Sequence, residues 1–191
     1  AEFPGEIIVV GAHLDSWDID PGAHDDGAGV VQAIEVMRIF RAIGYQPRHT
    51  LRCVLFTNEE NGLRGGKAYA AKVRDSGEKH VFAVESDGGG FGPRGFSLGH
   101  NDGPVHERAK RWLPLLRPLG ILTFTEGQGG ADIGPLLPLG VPLGNLLVDE
   151  QRYFDLHHTT ADTADQVHPR ELHLGAAALA SLIWLVDQEG L

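Results

Sequence analysis

Cysteine is nearly absent from this chain. Cys53 is the only one, so no internal disulfide can staple the fold and no sulfur-rich structural zinc site can form. It lies in Leu51-Arg52-Cys53-Val54-Leu55-Phe56, an apolar run that reads as a buried strand. Nothing adjacent supplies the histidine that a nucleophilic thiolate needs, so Cys53 is read as a small core residue. Positive charge is scarce as well: 16 Lys and Arg stand against 26 Asp and Glu, for a formal net charge of −10. Nucleic acids and anionic membranes select clustered Lys and Arg, which excludes both as partners. No apolar stretch approaches the ~20 residues that span a bilayer. Repeats, low-complexity tracts and a signal peptide are missing too. The chain starts Ala1-Glu2-Phe3-Pro4-Gly5 without an initiator Met and runs almost directly into a strand, so 1–191 reads as one domain excised from a longer protein.

With 191 residues the chain can bury one sizeable core. Apolar runs alternate with helical stretches, which predicts an α/β sandwich with a largely parallel sheet. The β-branched run at 6–11 predicts a central strand buried on both faces. Further strands are predicted at 50–56, 79–85, 121–124 and 141–148. Helices are predicted at 29–43, with Val30, Ile34, Met37 and Phe40 one turn apart, at 66–74 and at 104–118. A long amphipathic helix is predicted at 168–191, starting near Pro169 and burying Leu172, Ala176, Leu179, Ile183 and Val186.

Three predicted strands end alike. One runs into Ala12-His13-Leu14-Asp15-Ser16, one into Thr57-Asn58-Glu59-Glu60-Asn61-Gly62, and one into Glu85-Ser86-Asp87-Gly88-Gly89-Gly90. Ligands of open α/β sheets bind beyond the carboxyl ends of the strands, so an imidazole and several carboxylates converge on one rim. His24-Asp25-Asp26-Gly27 precedes a helix, and His157-His158-Thr159-Thr160-Ala161-Asp162-Thr163 precedes the last one. Singly, each cluster reads as solvated residues or a helix cap. Together they are the oxygen and nitrogen donors that borderline divalent metals take, and such a site with open positions is the catalytic kind. His13 and Asp15, two residues apart at a strand end, can point the same way, which would let the carboxylate orient the imidazole. In the Glu59-Glu60 doublet, one carboxylate can bind metal while the other handles a proton.

Five motifs carry a family resemblance: Gly11-Ala12-His13-Leu14-Asp15-Ser16, Gly22-Ala23-His24-Asp25-Asp26-Gly27-Ala28-Gly29, Asn58-Glu59-Glu60-Asn61-Gly62, Glu85-Ser86-Asp87 and His158-Thr159-Thr160-Ala161-Asp162-Thr163. In this order and spacing, the chain resembles the zinc aminopeptidase family with two co-catalytic metals. Its members include bacterial leucyl aminopeptidases and the plasma glutamate carboxypeptidase group. Trp17, Glu85-Ser86-Asp87 and Gly130-Ala131-Asp132-Ile133 resemble the latter branch most.

The resemblance implies a three-layer α-β-α sandwich with a mixed, mostly parallel central sheet, a phosphorylase/hydrolase-like zinc exopeptidase fold. It places further strands, and often an accessory domain, ahead of residue 6, so 1–191 is expected to be a single zinc-peptidase catalytic domain truncated at its N-terminal edge. It implies two Zn2+ per chain, with Asp25 bridging them, His13 and Asp87 completing one site, and Glu60 and His158 the other. Glu59 is then the general base and acid, Asp15 orients His13, and the Asp25–Asp26 peptide is cis. His158 is preferred to His157 as the ligand because it directly precedes Thr159 in a His-Thr-x-x-Asp pattern. His157 is left as a neighbour.

The implied activity is a metallo-exopeptidase that hydrolyses N-terminal residues or dipeptides with a metal-bridging hydroxide. A peptide or dipeptide is the expected partner, a homodimer is compatible, and the location is secreted or periplasmic. The alternative is a non-peptidase on the same fold: a binding module, or a single-zinc cyclase or deacetylase. The full set of five ligands and a base favours an enzyme. One departure stands out: Gln128 falls where some members carry a tyrosine that polarises the substrate carbonyl. Specificity is expected from loops at 91–96, 127–130 and 146–154. Gly88-Gly89-Gly90 reads as a flexible turn giving backbone access to the cleft. Asp132 reads as a substrate contact or a helix cap.

Overall fold

The computed structural model describes residues 1–101 and 103–191. Along the chain lie β1 (Phe3–His13), α1 (Gly29–Ala42), β2 (His49–Phe56), α2 (Arg64–Ser76), β3 (Lys79–Glu85), β4 (Pro93–Gly99), α3 (Val105–Ala109), α4 (Leu113–Leu116), β5 (Thr123–Glu126), β6 (Leu143–Val148), α5 (Tyr153–Leu156) and α6 (Pro169–Glu189). The strands form one sheet in the order β2-β1-β3-β6-β4-β5. Every neighbouring pair is parallel except β4 with β6.

Side chains alternate across a strand, and β1 shows why this sheet carries helices on both faces. Ile8, Val10 and Ala12 point to one side. They share a core with Phe82 and Val84 of β3, Val36 and Phe40 of α1, and Leu179, Ile183 and Val186 of α6. Ile7 and Val9 point to the other side, meeting Ala83 of β3, Ala70 and Val73 of α2, and Leu136 in the 3-10 turn Gly134–Leu139. The expected three-layer, mostly parallel sandwich is therefore what forms. α1 and α6 approach so closely that a Cβ on Gly175 would lie 2.2 Å from the Gln32 amide nitrogen.

Several expectations need correction. The inner stripe of α1 is Gln32, Ala33, Val36 and Phe40, whereas Ile34 is exposed and Val30 and Met37 lie at the boundary. Gln32 packs against Gly175 of α6, a polar side chain on a glycine, which the spacing of large apolar residues does not reveal. Cys53 is half-buried rather than deep in the core, because β2 is an edge strand. The stretch 104–118 breaks into short helices, since Pro114 and Pro118 each remove a helical donor. β4 is an additional strand, hidden in the sequence by Pro93, Gly95 and Gly99. Its Phe96 is 0% exposed and the preceding Phe91 only 1%, so both aromatic rings of 91–96 are core, and Arg94 is the exposed residue of the segment. Among the described residues, no helix is long and apolar enough to cross a membrane.

A buried carboxylate ties α6 to the start of β2. Asp187 accepts the main-chain amides of Arg48 and His49 at 3.0 and 2.9 Å, the His49 Nδ1 contact at 2.8 Å, and the Tyr45 hydroxyl. Burial alone would raise its pKa, but these donors outweigh it and hold the carboxyl below its ordinary range. A carboxyl depressed in the folded state contributes stability above its unfolded pKa of about 3.9 and loses it as pH falls through the folded value. Asp187→Ala should therefore cost about 2–4 kcal/mol in denaturant unfolding at pH 7, with the difference from the parent shrinking below pH ~4.

Candidate metal centre

Because β2, β1 and β3 are adjacent and parallel, their carboxyl ends open side by side. β1 ends on His13, β2 delivers Glu59 and Glu60 just beyond Phe56, and β3 delivers Asp87 just beyond Glu85. Two hydrogen bonds extend the pairing past the strands: Leu14 donates to the Phe56 carbonyl, and Ser86 to that of Gly11. Asp25 enters from the irregular turn Ala23–Ala28, where it is extended (φ −114°, ψ 87°) and joined to Asp26 by the expected cis peptide. His158 enters from the loop before α6 with a positive φ of 58°.

These side chains form two clusters that share one carboxylate. Asp25 Oδ1 lies 3.3 Å from His13 Nε2, which is also 3.3 Å from Asp87 Oδ1. Asp25 Oδ2 lies 3.3 Å from His158 Nε2, which is 3.1 Å from Glu60 Oε2. Four-coordinate metals with bonds of ~2.0–2.1 Å space their ligand atoms by about 3.3–3.4 Å. The donors are imidazole nitrogens and carboxylate oxygens, the set that divalent zinc-like ions take. Glu60 Oε1 is buried with no hydrogen-bond partner among the described residues, as an atom reserved for a cation would be. The residues present thus fit two divalent metals. His157 also reaches the second cluster, with Nε2 3.4 Å from Asp25 Oδ2 and its ring stacked 3.6 Å from His158. On the outer side of His158, Trp17 stacks at 4.7 Å with the planes 12° apart.

The electrostatics express the same demand for positive charge. Burial alone would depress His13, yet Asp25 and Asp87 hold its pKa up to about 12. Burial and then the charge of Asp87 push Glu59 up to about 7. Burial and Asp25 raise Glu60. Tyr153 is raised by burial and then by Asp25 and Asp87, which sets its phenol within the field of the cluster.

The supporting residues differ in part from expectation. His13 Nδ1 meets the main-chain carbonyl of Asp15 at 2.8 Å, while the nearer Asp15 carboxylate oxygen stands 3.8 Å away. That carboxylate instead accepts the amides of Glu59 and Glu60, at 3.1 and 3.3 Å. Asp15 therefore orients His13 through its backbone and the Glu59-Glu60 doublet through its side chain. Asp26 does cap α1, accepting Gly29 N at 3.0 Å, and it also accepts His13 N at 3.1 Å. The glycine run after Asp87 is no flexible turn: Gly89 and Gly90 are buried, and Gly90 donates to His24 Nδ1 at 3.0 Å. Asp132 is buried, and the 3-10 turn that follows has no side-chain cap.

Two buried acids had no role in the sequence reading. Glu85 accepts the Asp132 and Ile133 amides under the 127–130 loop, and burial pushes its carboxyl up to about 8. Asp162 accepts the His24 and Asp25 amides. Their signal was membership of a motif, without any indication of what they would touch. Of the expected specificity loops, 146–154 is mixed: Leu146 and Val148 belong to the core, whereas residues 150–152 and Phe154 are exposed.

Fold and donor set together define an α/β protein with a candidate metal centre at the sheet rim. The pattern of Peptidase family M28 matches residues 2–183, and the chain belongs to that family. Carboxypeptidase Q of Rattus norvegicus is 33% identical over 97% of this chain and 39% of its own length. The crystal structure of a Peptidase M28 precursor from Shewanella amazonensis SB2B superposes with a TM-score of 0.90 at 37% identity, over 98% of this chain and 42% of that one. An aminopeptidase from Aneurinibacillus sp. strain AM-1 follows at TM-score 0.75 and 27% identity, over 96% and 44% of the two chains. The chain thus spans about two fifths of the relatives it matches.

The packing around Glu85 can be tested directly. A Cβ on Gly130 would lie 2.4 Å from the Glu85 carboxyl group, which is buried and has no room to retreat. Gly130→Ala should destabilise the fold by about 1–3 kcal/mol in denaturant unfolding.

Proposed function

We propose that this chain is the catalytic core of a zinc-dependent exopeptidase that removes N-terminal residues or splits dipeptides. The observation that carries the reading is the Asp25 carboxylate, whose two oxygens each face a separate histidine–carboxylate pair. Membership of a peptidase family and relatives named as carboxypeptidase and aminopeptidase support peptide-bond hydrolysis.

His13, Asp25 and Asp87 would hold one zinc ion, and Asp25, Glu60 and His158 the other. Bound there, the zinc pair supplies Lewis acidity and lowers the pKa of water. The Glu59 carboxylate takes the proton of the attacking water and delivers it to the leaving amine nitrogen. A base with a pKa near the working pH suits both halves of that transfer, and the burial of Glu59 moves it in that direction. Asp15 keeps the doublet in register through the Glu59 and Glu60 amides, so that one carboxylate faces the ligands and the other the substrate.

Glu59→Gln should retain zinc at parent affinity while turnover falls ~10²–10⁴-fold, measured by metal content alongside steady-state kinetics. Turnover within a few-fold of the parent would remove Glu59 from the role of base. Purified protein should carry two zinc ions by mass spectrometry and lose activity on chelation. A panel of aminoacyl-nitroanilides, dipeptides, N-blocked peptides and peptides with N-terminal glutamine decides the substrate. Hydrolysis of only the blocked peptides, or release of ammonia from N-terminal glutamine, would overturn the aminopeptidase reading.

A further inference from the structure

Of the five motifs, the one that carries His158 ends in an acid that the chemistry above leaves unused. Asp162 is 0% exposed, and its hydrogen-bond partners are main-chain amides. Its carboxylate accepts His24 N at 2.8 Å through Oδ1 and at 3.0 Å through Oδ2, and Asp25 N at 3.0 Å through Oδ2. Its carbonyl accepts Ala23 N at 3.2 Å. Three consecutive amides, the last belonging to the shared Asp25, thus converge on one residue 137 positions further along the chain. Hydrogen bonds from amides to a carboxylate are charge-assisted and stronger than neutral ones.

The same residue is rigidly joined to His158. Thr159 Oγ1 donates to the Leu156 carbonyl at 2.7 Å and accepts Ala161 N at 3.2 Å, and Asp162 N donates to the Thr159 carbonyl at 3.1 Å. One short turn therefore holds the imidazole of one ligand and the clasp on the main chain of the next. The other half of the centre is fixed elsewhere: His13 is held by the Asp15 carbonyl at Nδ1 and by Asp26 at its amide.

We propose that Asp162 is a positioning residue for the cation on the His158 side. Its carboxylate fixes the Asp25 main chain relative to His158 and thereby sets the 3.3 Å approach of Asp25 Oδ2 to His158 Nε2. The inference rests on the reading of the centre as a two-zinc site, and it adds a division of labour. The His13–Asp87 half is built on the sheet, while the His158–Glu60 half depends on a clasp between two loops.

The test is a competitive zinc titration of the metal-free protein against a chelating dye, with amide hydrogen exchange of the same samples. Asp162→Asn exchanges a carboxylate oxygen for an NH2 group that confronts the N–H donors. One zinc, which the proposal assigns to the His158 side, should then bind ~10–100-fold less tightly while the other shifts by less than about threefold, and exchange at residues 23–25 should accelerate. Excess zinc should restore turnover toward the parent value. A residue with a merely structural role would lower the melting temperature and leave both zinc constants alone.

Both constants within about threefold of the parent, in a variant with parent-like circular dichroism, would overturn the proposal. Should Asp162→Asn not fold, Thr159→Val decides. It keeps the carboxylate but loosens the turn, and it is expected to weaken the second zinc several-fold; unchanged affinity there overturns the proposal. A parent protein that binds fewer than two zincs overturns the two-metal reading and this inference with it. A parent with two zincs and an unaffected variant overturns the inference alone.

Discussion

The structure depends on how closely like charges are gathered at the carboxyl rim of the sheet. Asp25, Glu60 and Asp87 converge with two imidazoles, and Asp25 must face both ways at once. Buried carboxylates are tolerated only when paired, hydrogen-bonded or bound to metal. Here the direct partners are His13 and His158, and His13 is held strongly toward its protonated form. The position between these carboxylates suits a divalent cation. The charge deficit and the ligand geometry are two expressions of one constraint.

Around that cluster, four further acids are hydrogen-bonded by main-chain amides. Asp15 takes the Glu59 and Glu60 amides, Asp26 those of His13 and Gly29, Glu85 those of Asp132 and Ile133, and Asp162 those of His24 and Asp25. An amide is a fixed dipole and, unlike an arginine, brings no positive charge that would compete with a metal ion for the carboxylates. Carboxylate–amide pairs thus let the loops be rigid before any metal arrives. The overall acidity of the chain, a net −10, is partly this scaffolding brought inside.

Much of this was legible in the sequence. Strand ends followed by His or acidic residues on three neighbouring strands announced the rim, because a parallel sheet must open its carboxyl ends on one side. The candidate donor residues were legible through motif order, and the structure brings all five side chains together. What escaped was whatever depends on partners distant in the chain. Asp15 was expected to act through its carboxylate, yet its carbonyl meets His13 and its side chain turns to the next strand's loop. β4 was missed because Pro93, Gly95 and Gly99 dilute its apolar content, and it is a strand through its pairing with β6 and β5. In α1, the buried face runs through Gln32, Ala33, Val36 and Phe40, with Gln32 set against Gly175 of α6, and not through Val30, Ile34 and Met37.

The stack of Trp17 on His158 has an optical consequence. An indole lying flat on an imidazole at 4.7 Å is quenched when that ring gains positive charge and recovers as the charge is redistributed. Of the other two tryptophans, Trp112 is buried in the core and Trp184 sits on the outer side of α6. Changes in emission that accompany filling of the rim would therefore be expected mainly from Trp17.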